Sequence, residues 1–592
     1  MRSKSSILIT TTLLCLLTTA CSKSDDDGAA TTSDTTGTTT HTSDSDADGD
    51  VSTFTIAKDL SALAETQVVD AADDDYVENT TIDQTLYVTF SDTDGASVQG
   101  DDDGLVTIVG NDVTATNTTD KVVQYVLSGT TTDGFFKLYS AKKSIIRLNG
   151  VSITNPDGAA INNQSHKCTF IVVADGTDNS LKDGTAYADA TSSEDMKACL
   201  FSEGQLIFSG TGYLYVDGNC KAGIRSDDYV RTMPGVSIDV DVSSGNGIRG
   251  NESVTITGGV ININVTGDAD KGISTDGHVT VSGGRTTIIT SGGEKYEDGD
   301  YSACAGVKAD STFTITGGEL RILCSGTGGK GISCDQQASF SGGATAIITT
   351  GKNSSNTSAK GVKADGNLTI SAGKIKVRCA NSEAIESKAA IVISGGIVEV
   401  YGSDDCINSK SDMTISGGHI YCHATNNDAI DANRNLYIND GFIVAEGAGA
   451  PENALDAAEG YSTFINGGTI IALGGSTAAT SSSSKQASID TSVTQGQTVA
   501  LASGSTTLVT YQVSAINRNT SALMISSPSL SAGSSYTLKS GVTTTGGTWF
   551  YGAATDATVS GGSSSTVTAA LSVGSGMGGG NGGGGHGPGG RW

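Results

Sequence analysis

The chain has 592 residues, 79 of them glycine and only 5 proline, with a net charge of −29 and a pI near 4.4. That charge excludes general nucleic-acid binding, which needs a basic footprint, and it disfavours any acidic polymer unless cations intervene. Aromatic residues make up 5% of the chain and its two tryptophans, Trp549 and Trp592, lie outside the repeats, which disfavours neutral glycans such as cellulose, gripped by aromatic rows.

Residues 1–20 combine a basic start (Arg2, Lys4), an apolar run from Ile7 to Leu17 and a small residue before Cys21, the order of an export signal. Thr18-Thr19-Ala20-Cys21 resembles a bacterial lipoprotein cleavage site, with Cys21 as the lipidated first residue. The acidic Ser-Lys-Ser-Asp-Asp-Asp that follows is similar to tags that send lipoproteins to the outer face of the outer membrane. Residues 21–52 hold almost nothing apolar and read as a disordered tether. No later run is long and apolar enough to span a bilayer, so the membrane is expected to be reached through lipid alone.

Residues 53–140 show strand runs separated by Asp/Gly corners, Leu86-Tyr-Val-Thr-Phe, Leu105-Val-Thr-Ile-Val and Val122-Val-Gln-Tyr-Val-Leu, and read as an N-terminal cap and first coils. From 141 to 474 a period of 22–27 residues takes over. Glu383-Ala-Ile-Glu, Asp405-Cys-Ile-Asn, Asp428-Ala-Ile-Asp and Asn453-Ala-Leu-Asp recur, alternating with Ile393-Ser-Gly-Gly, Ile415-Ser-Gly-Gly, Ile438-Asn-Asp-Gly and Ile465-Asn-Gly-Gly. Short alternating apolar runs at such a period predict an all-β parallel solenoid. After each Gly-Gly, pairs such as Ile261/Ile263, Leu320/Ile322, Val398/Val400 and Ile420/Cys422 should point inward. Residues 475–573 read as a C-terminal β module and 574–592 as a mobile glycine-rich tail. Cys324, Cys379 and Cys422 follow strand positions that are otherwise apolar and read as packing residues, with disulfide pairing left open.

Coils in register place like residues about 4.7–4.9 Å apart. Two carboxylates at roughly that distance repel by about 3 kcal/mol at an effective dielectric near 20. Glu383, Glu386, Asp404, Asp405, Asn408, Asp428, Asp431 and Asp456 therefore form a candidate cation site, with Ca²⁺ the natural occupant because it takes several hard oxygens in irregular geometry. The alternative is a solvated acidic ridge partly neutralised by Lys388 and Lys410.

Together Asn149-Gly-Val-Ser-Ile-Thr-Asn, Asp175-Gly-Thr-Asp-Asn-Ser-Leu, Ala222-Gly-Ile-Arg-Ser-Asp-Asp and the Ile-Ser/Thr-Gly-Gly rungs resemble the carbohydrate-binding β-helix family of anaerobic bacterial surfaces. That resemblance implies a right-handed parallel β-helix with polysaccharide-lyase topology, bound Ca²⁺, and affinity for acidic plant polysaccharide such as polygalacturonate without established lyase activity. The chain departs from the family's Asp-Gly-Ile rungs at Lys330-Gly-Ile and Lys360-Gly-Val.

At the rung position the chain reads Lys271, Ala305, Lys330 and Lys360 before turning acidic, and five residues on it reads Asp276, Asp310, Asp335 and Asp365 before turning to Lys388 and Lys410. In the earlier coils these lysines and aspartates are expected to neutralise one another. A second candidate surface is expected to face outward after the Gly-Gly corners: Lys374, Lys376 and Arg378 for uronate carboxylates, and Tyr401, His419, Tyr421 and His423 for sugar contacts. Three functions compete: calcium-dependent, non-catalytic binding of acidic polysaccharide at the cell surface, a pectate-lyase-like eliminase using Lys388 or Lys410 as base, and a structural adhesin.

Overall fold

A computed structural model describes residues 69–188, 194–514 and 522–574. Cys21, the expected export signal and tether, and all but the first residue of the expected glycine-rich tail lie outside the described residues. The chain divides into two compact units, Met1–Gly361 and Val362–Trp592. Both are all-β, and among the described residues the one helical turn is a 3-10 turn at Val77–Asn79. Between them the units hold about 14 turns of parallel β-solenoid.

The first unit opens with antiparallel pairs, Gln84–Ser91 with Ser97–Gln99 and Val106–Val109 with Asp112–Asn117. Parallel stacking then takes over, Asp112–Asn117 with Phe135–Ser140 and Gln84–Ser91 with Val123–Thr131. An irregular first edge of this kind blunts a surface that would otherwise template aggregation. Residues just before the first strand are held along the side of the coils: the Arg231 guanidinium lies 2.9 Å from both Asp73 and Asp75, and Tyr76 and Val77 pack on a cluster containing Ile145, Phe170 and Met233.

In the second unit Leu368–Cys379, Ile391–Gly402, Met413–Ala424 and Leu436–Glu446 stack in parallel, each aligned with the next. The inward pairs expected from alternation are buried, with Val398, Val400, Ile420 and Cys422 all at 0% exposure. The Ser-Gly-Gly phrase has a steric cause. A Cβ on Gly395 would sit 2.2 Å from the Ser371 carbonyl oxygen of the coil before, and Gly396 holds φ +87°, which L residues avoid. The last coil strand, Thr469–Gly474, pairs antiparallel with Ala522–Ser526, and a five-stranded antiparallel sheet follows, including Thr498–Ser503, Thr506–Gln512 and Ser535–Ser540.

Nine cysteines, from Cys168 to Cys422, are free thiols, and Cys324, Cys379 and Cys422 are buried. The expected Lys–Asp neutralisation in the earlier coils is corrected. Lys271 and Lys330 donate to the carbonyl oxygens of Ala269 and Gly328, two residues back. Asp276 pairs instead with Arg249 at 2.7 Å, and Asp310 and Asp335 share Lys308 at 2.9 and 2.5 Å. The partners stand on the outward position of the short rung strands, in one register column running Arg225, Arg249, Ser274, Lys308.

Candidate functional site

The four recurring rungs of the second unit bring their acids together. Register pairing stacks Glu386 on Asn408, Asn408 on Asp431, and Asp431 on Asp456. The residue opening each rung works differently, capping the next coil: Asp405 Oδ1 accepts from the Asp428 amide at 3.1 Å, and Asp428 Oδ1 from the Asn453 amide at 2.5 Å. One oxygen of each capping aspartate is thus tied to backbone. Asn408 Nδ2 donates to Asp405 Oδ2 at 2.7 Å and to Asp431 Oδ2 at 2.9 Å, bridging the two sets, while Asp404 accepts from Asn427 at 2.8 Å. Glu383 accepts a hydrogen bond from the Ser382 hydroxyl.

Carboxylate oxygens of Asp428, Asp431 and Asp456 all lie within 4.8 Å of one another. Burial, then the neighbouring carboxylates, pushes Asp405 and Asp431 up to about 7 and Asp428 up to about 8, and raises Asp456. Among the described residues no lysine or arginine forms an ion pair with Asp404, Asp405, Asp428, Asp431 or Asp456. Three close hard oxygens, desolvated and without a basic partner, suit a divalent cation of the calcium type.

Lys388 and Lys410 do not neutralise this cluster. Lys388 lies 3.6 Å from Asp365, and Lys410 is exposed with no ion pair among the described residues.

The outward row is only partly outward. Lys374, Lys376 and Arg378 are half-exposed; Lys376 lies 3.2 Å from Glu399, and the Arg378 guanidinium sits 4.7 Å over the Tyr401 ring. His419 is exposed and stacks on Phe442. Tyr421 and His423, in contrast, are buried at 5% and 4% exposure. The C-terminal module covers them: Tyr421 and Tyr511 hydroxyls donate to Glu446 at 3.1 and 2.7 Å, and His423 Nδ1 meets the same carboxylate at 2.8 Å. The expectation of a solvent-facing Tyr421 and His423 is therefore corrected. Its cause was readable in the next coils, where the outward positions Val444 and Ile471 are apolar and 0% exposed, as strands covered on both faces require.

Coils of this kind, carrying stacked carboxylates on one side and a capped end, define a parallel β-solenoid with an acidic face. The chain belongs to the family described as carbohydrate-binding domain-containing protein, whose model matches residues 109–406, just over half of the chain. It is 33% identical over 126 residues to a carbohydrate-binding domain-containing protein of Acetivibrio thermocellus, a stretch that spans 21% of this chain and 40% of that relative. It is also similar, at 27% identity and a TM-score of 0.36, to a polysaccharide lyase-like protein from C. thermocellum solved as a gadolinium derivative, over 42% of this chain and 94% of that one. Glu383, Glu386, Asp404 and Asp405 fall within the family match, whereas Asp428, Asp431 and Asp456 lie beyond it.

Proposed function

We propose that this carbohydrate-binding chain takes acidic polysaccharide, and that its binding depends on calcium held by Asp405, Asp428, Asp431 and Asp456, with Asp404 and Asn408 beside them. The observation that carries this reading is the set of desolvated carboxylates with no basic partner, in a protein of net charge −29. Calcium bound there would lower the local negative charge and offer open coordination positions to uronate oxygens. Lys374, Lys376 and Arg378 supply direct charge-assisted partners for further uronates. Anchoring through a lipid on Cys21 would hold the coils at the cell surface. Calorimetric titration of polygalacturonate into the full chain tests the reading: binding in calcium that disappears in EDTA is expected. Equal affinity in both conditions, or no bound calcium by elemental analysis, would sink it.

A further inference from the structure

One element of the first unit interrupts the coils. Glu294–Glu297 and Asp300–Ala303 form a two-stranded antiparallel hairpin. Its turn is Asp298-Gly299, with φ of 52° and 91°, the pair that a two-residue hairpin loop prefers because both positions need positive φ. Tyr296 and Tyr301 are direct partners across the hairpin, with ring centroids 4.9 Å apart and planes tilted by 53°.

Both rings are open to solvent, at 60% and 41% exposure. Four other tyrosines have a partner against the ring, Tyr421 with Tyr551, Tyr437 with Phe464, Tyr401 with Arg378 and the equally exposed Tyr461 with Arg434. Tyr87 is exposed too, but stands alone on the first strand. The hairpin is also pinned at its base. Glu294 accepts from the Ser354 and Thr357 hydroxyls at 2.7 and 2.5 Å, and Lys271 Nζ donates to Ser302 Oγ at 2.9 Å. Two exposed rings on a fixed hairpin present apolar area with little ordering entropy left to lose on binding.

We infer that Tyr296 and Tyr301 form a sugar-stacking site for neutral glycan, separate from the acidic column. The hairpin lies inside the stretch matched by the carbohydrate-binding family, and a tyrosine ring combines an apolar face for pyranose C–H groups with a polar edge for hydroxyls. Charge decides between sugar classes. The hairpin carries Glu294, Glu297, Asp298 and Asp300 against one lysine, Lys295, which is itself paired with Glu297. A uronate would meet like charge here, which costs affinity, whereas the hydroxyls of a neutral sugar can donate to these carboxylates. The low aromatic content argues against a long platform, and two rings suffice for one or two sugar residues.

The test is affinity electrophoresis of the full chain through gels containing galactomannan, xyloglucan or hydroxyethylcellulose, with and without EDTA. Retardation by at least one polymer, unchanged by EDTA and by Asp428→Asn/Asp431→Asn, is expected. Tyr296→Ala/Tyr301→Ala should weaken it by about tenfold or more, and Tyr296→Phe/Tyr301→Phe, which keeps the ring faces, by no more than about threefold. Both pairs are exposed, so folding is not at risk. No retardation by any of the three polymers, sensitivity to EDTA, retention in the alanine pair or equal loss in the phenylalanine pair would each overturn the site. None of these outcomes bears on calcium-dependent polygalacturonate binding, so either reading can fail without the other.

Discussion

Tyr551 lies flat on Tyr421, with ring centroids 3.7 Å apart and planes 4° from parallel. The stack joins the C-terminal β module to the outer face of the coil strand Met413–Ala424. Tyr551 holds φ 43°, a left-handed conformation for a bulky residue, and such a residue persists only where surrounding contacts fix it, at a cost of order 1–3 kcal/mol. Beneath the stack, Glu446 is the common acceptor for Tyr421, Tyr511 and His423. An outward row in the earlier coils has become an internal interface by this point in the chain.

Glu446 is therefore expected to hold the module down. Glu446→Ala leaves two tyrosine hydroxyls and a histidine nitrogen buried without their acceptor, which should destabilise the module by about 3 kcal/mol. Hydrogen exchange should accelerate in Thr498–Ser503 and Thr506–Gln512 while Leu368–Cys379 stays protected. Equal protection of all three segments in variant and parent would show that apolar packing alone docks the module.

The repeats were legible because their causes are local. Inward alternation, as at Val398/Val400, and the steric need for Gly395 and Gly396 both leave marks within a few residues. Carboxylate stacking followed from the period alone, and the geometry brings Asp428, Asp431 and Asp456 together. Charge pairing is not legible from the period, because it is set by which residues share an outward column: Arg249 and Lys308 stand there, whereas Lys271 and Lys330 turn back to carbonyl oxygens. The buried Tyr421 depended on a partner about 130 residues later, Tyr551, which no periodicity links to it.

Calcium should stabilise the second unit by an amount that grows with the logarithm of its free concentration once it exceeds Kd. A ligand bound only by the folded state adds RT ln(1 + [L]/Kd), about 2.7 kcal/mol at a hundredfold excess over Kd. Asp428→Asn/Asp431→Asn is expected to abolish that gain while leaving the metal-free fold intact, because the amide side chain introduced at position 428 keeps a carbonyl oxygen to accept from the Asn453 amide. A variant that keeps its full calcium-induced rise in melting temperature would move the ion to other residues.

No eliminase activity is expected. A lyase needs a base within hydrogen-bond reach of the proton beside the uronate carboxylate, and of the two candidates Lys388 is engaged with Asp365 while Lys410 projects into solvent. Incubation with polygalacturonate and calcium at alkaline pH should give no rise in absorbance from unsaturated product. A rise that Lys388→Ala or Lys410→Ala removes, with binding retained, would establish an enzyme.

The metal-free protein should lose stability as pH rises, contrary to the usual behaviour of paired carboxylates. Burial and neighbouring charge lift Asp405 and Asp431 to about 7 and Asp428 to about 8 from an ordinary 3.8. Between those limits the folded state binds more protons than the unfolded chain, so raising pH favours unfolding. Below about pH 4 both states are protonated and the aspartates cost nothing, whereas above about pH 8 the full penalty of three buried charges is present. In EDTA the denaturation midpoint of the second unit should fall from pH 5 to pH 8, and more steeply than in Asp428→Asn/Asp431→Asn, which isolates the contribution of the column from every other titrating group. Calcium should reverse the trend, since it binds the ionised form and its gain grows as the protons leave. Parallel pH profiles for parent and variant in EDTA would mean that these carboxylates are well solvated, and would remove the electrostatic reason for a cation at the column.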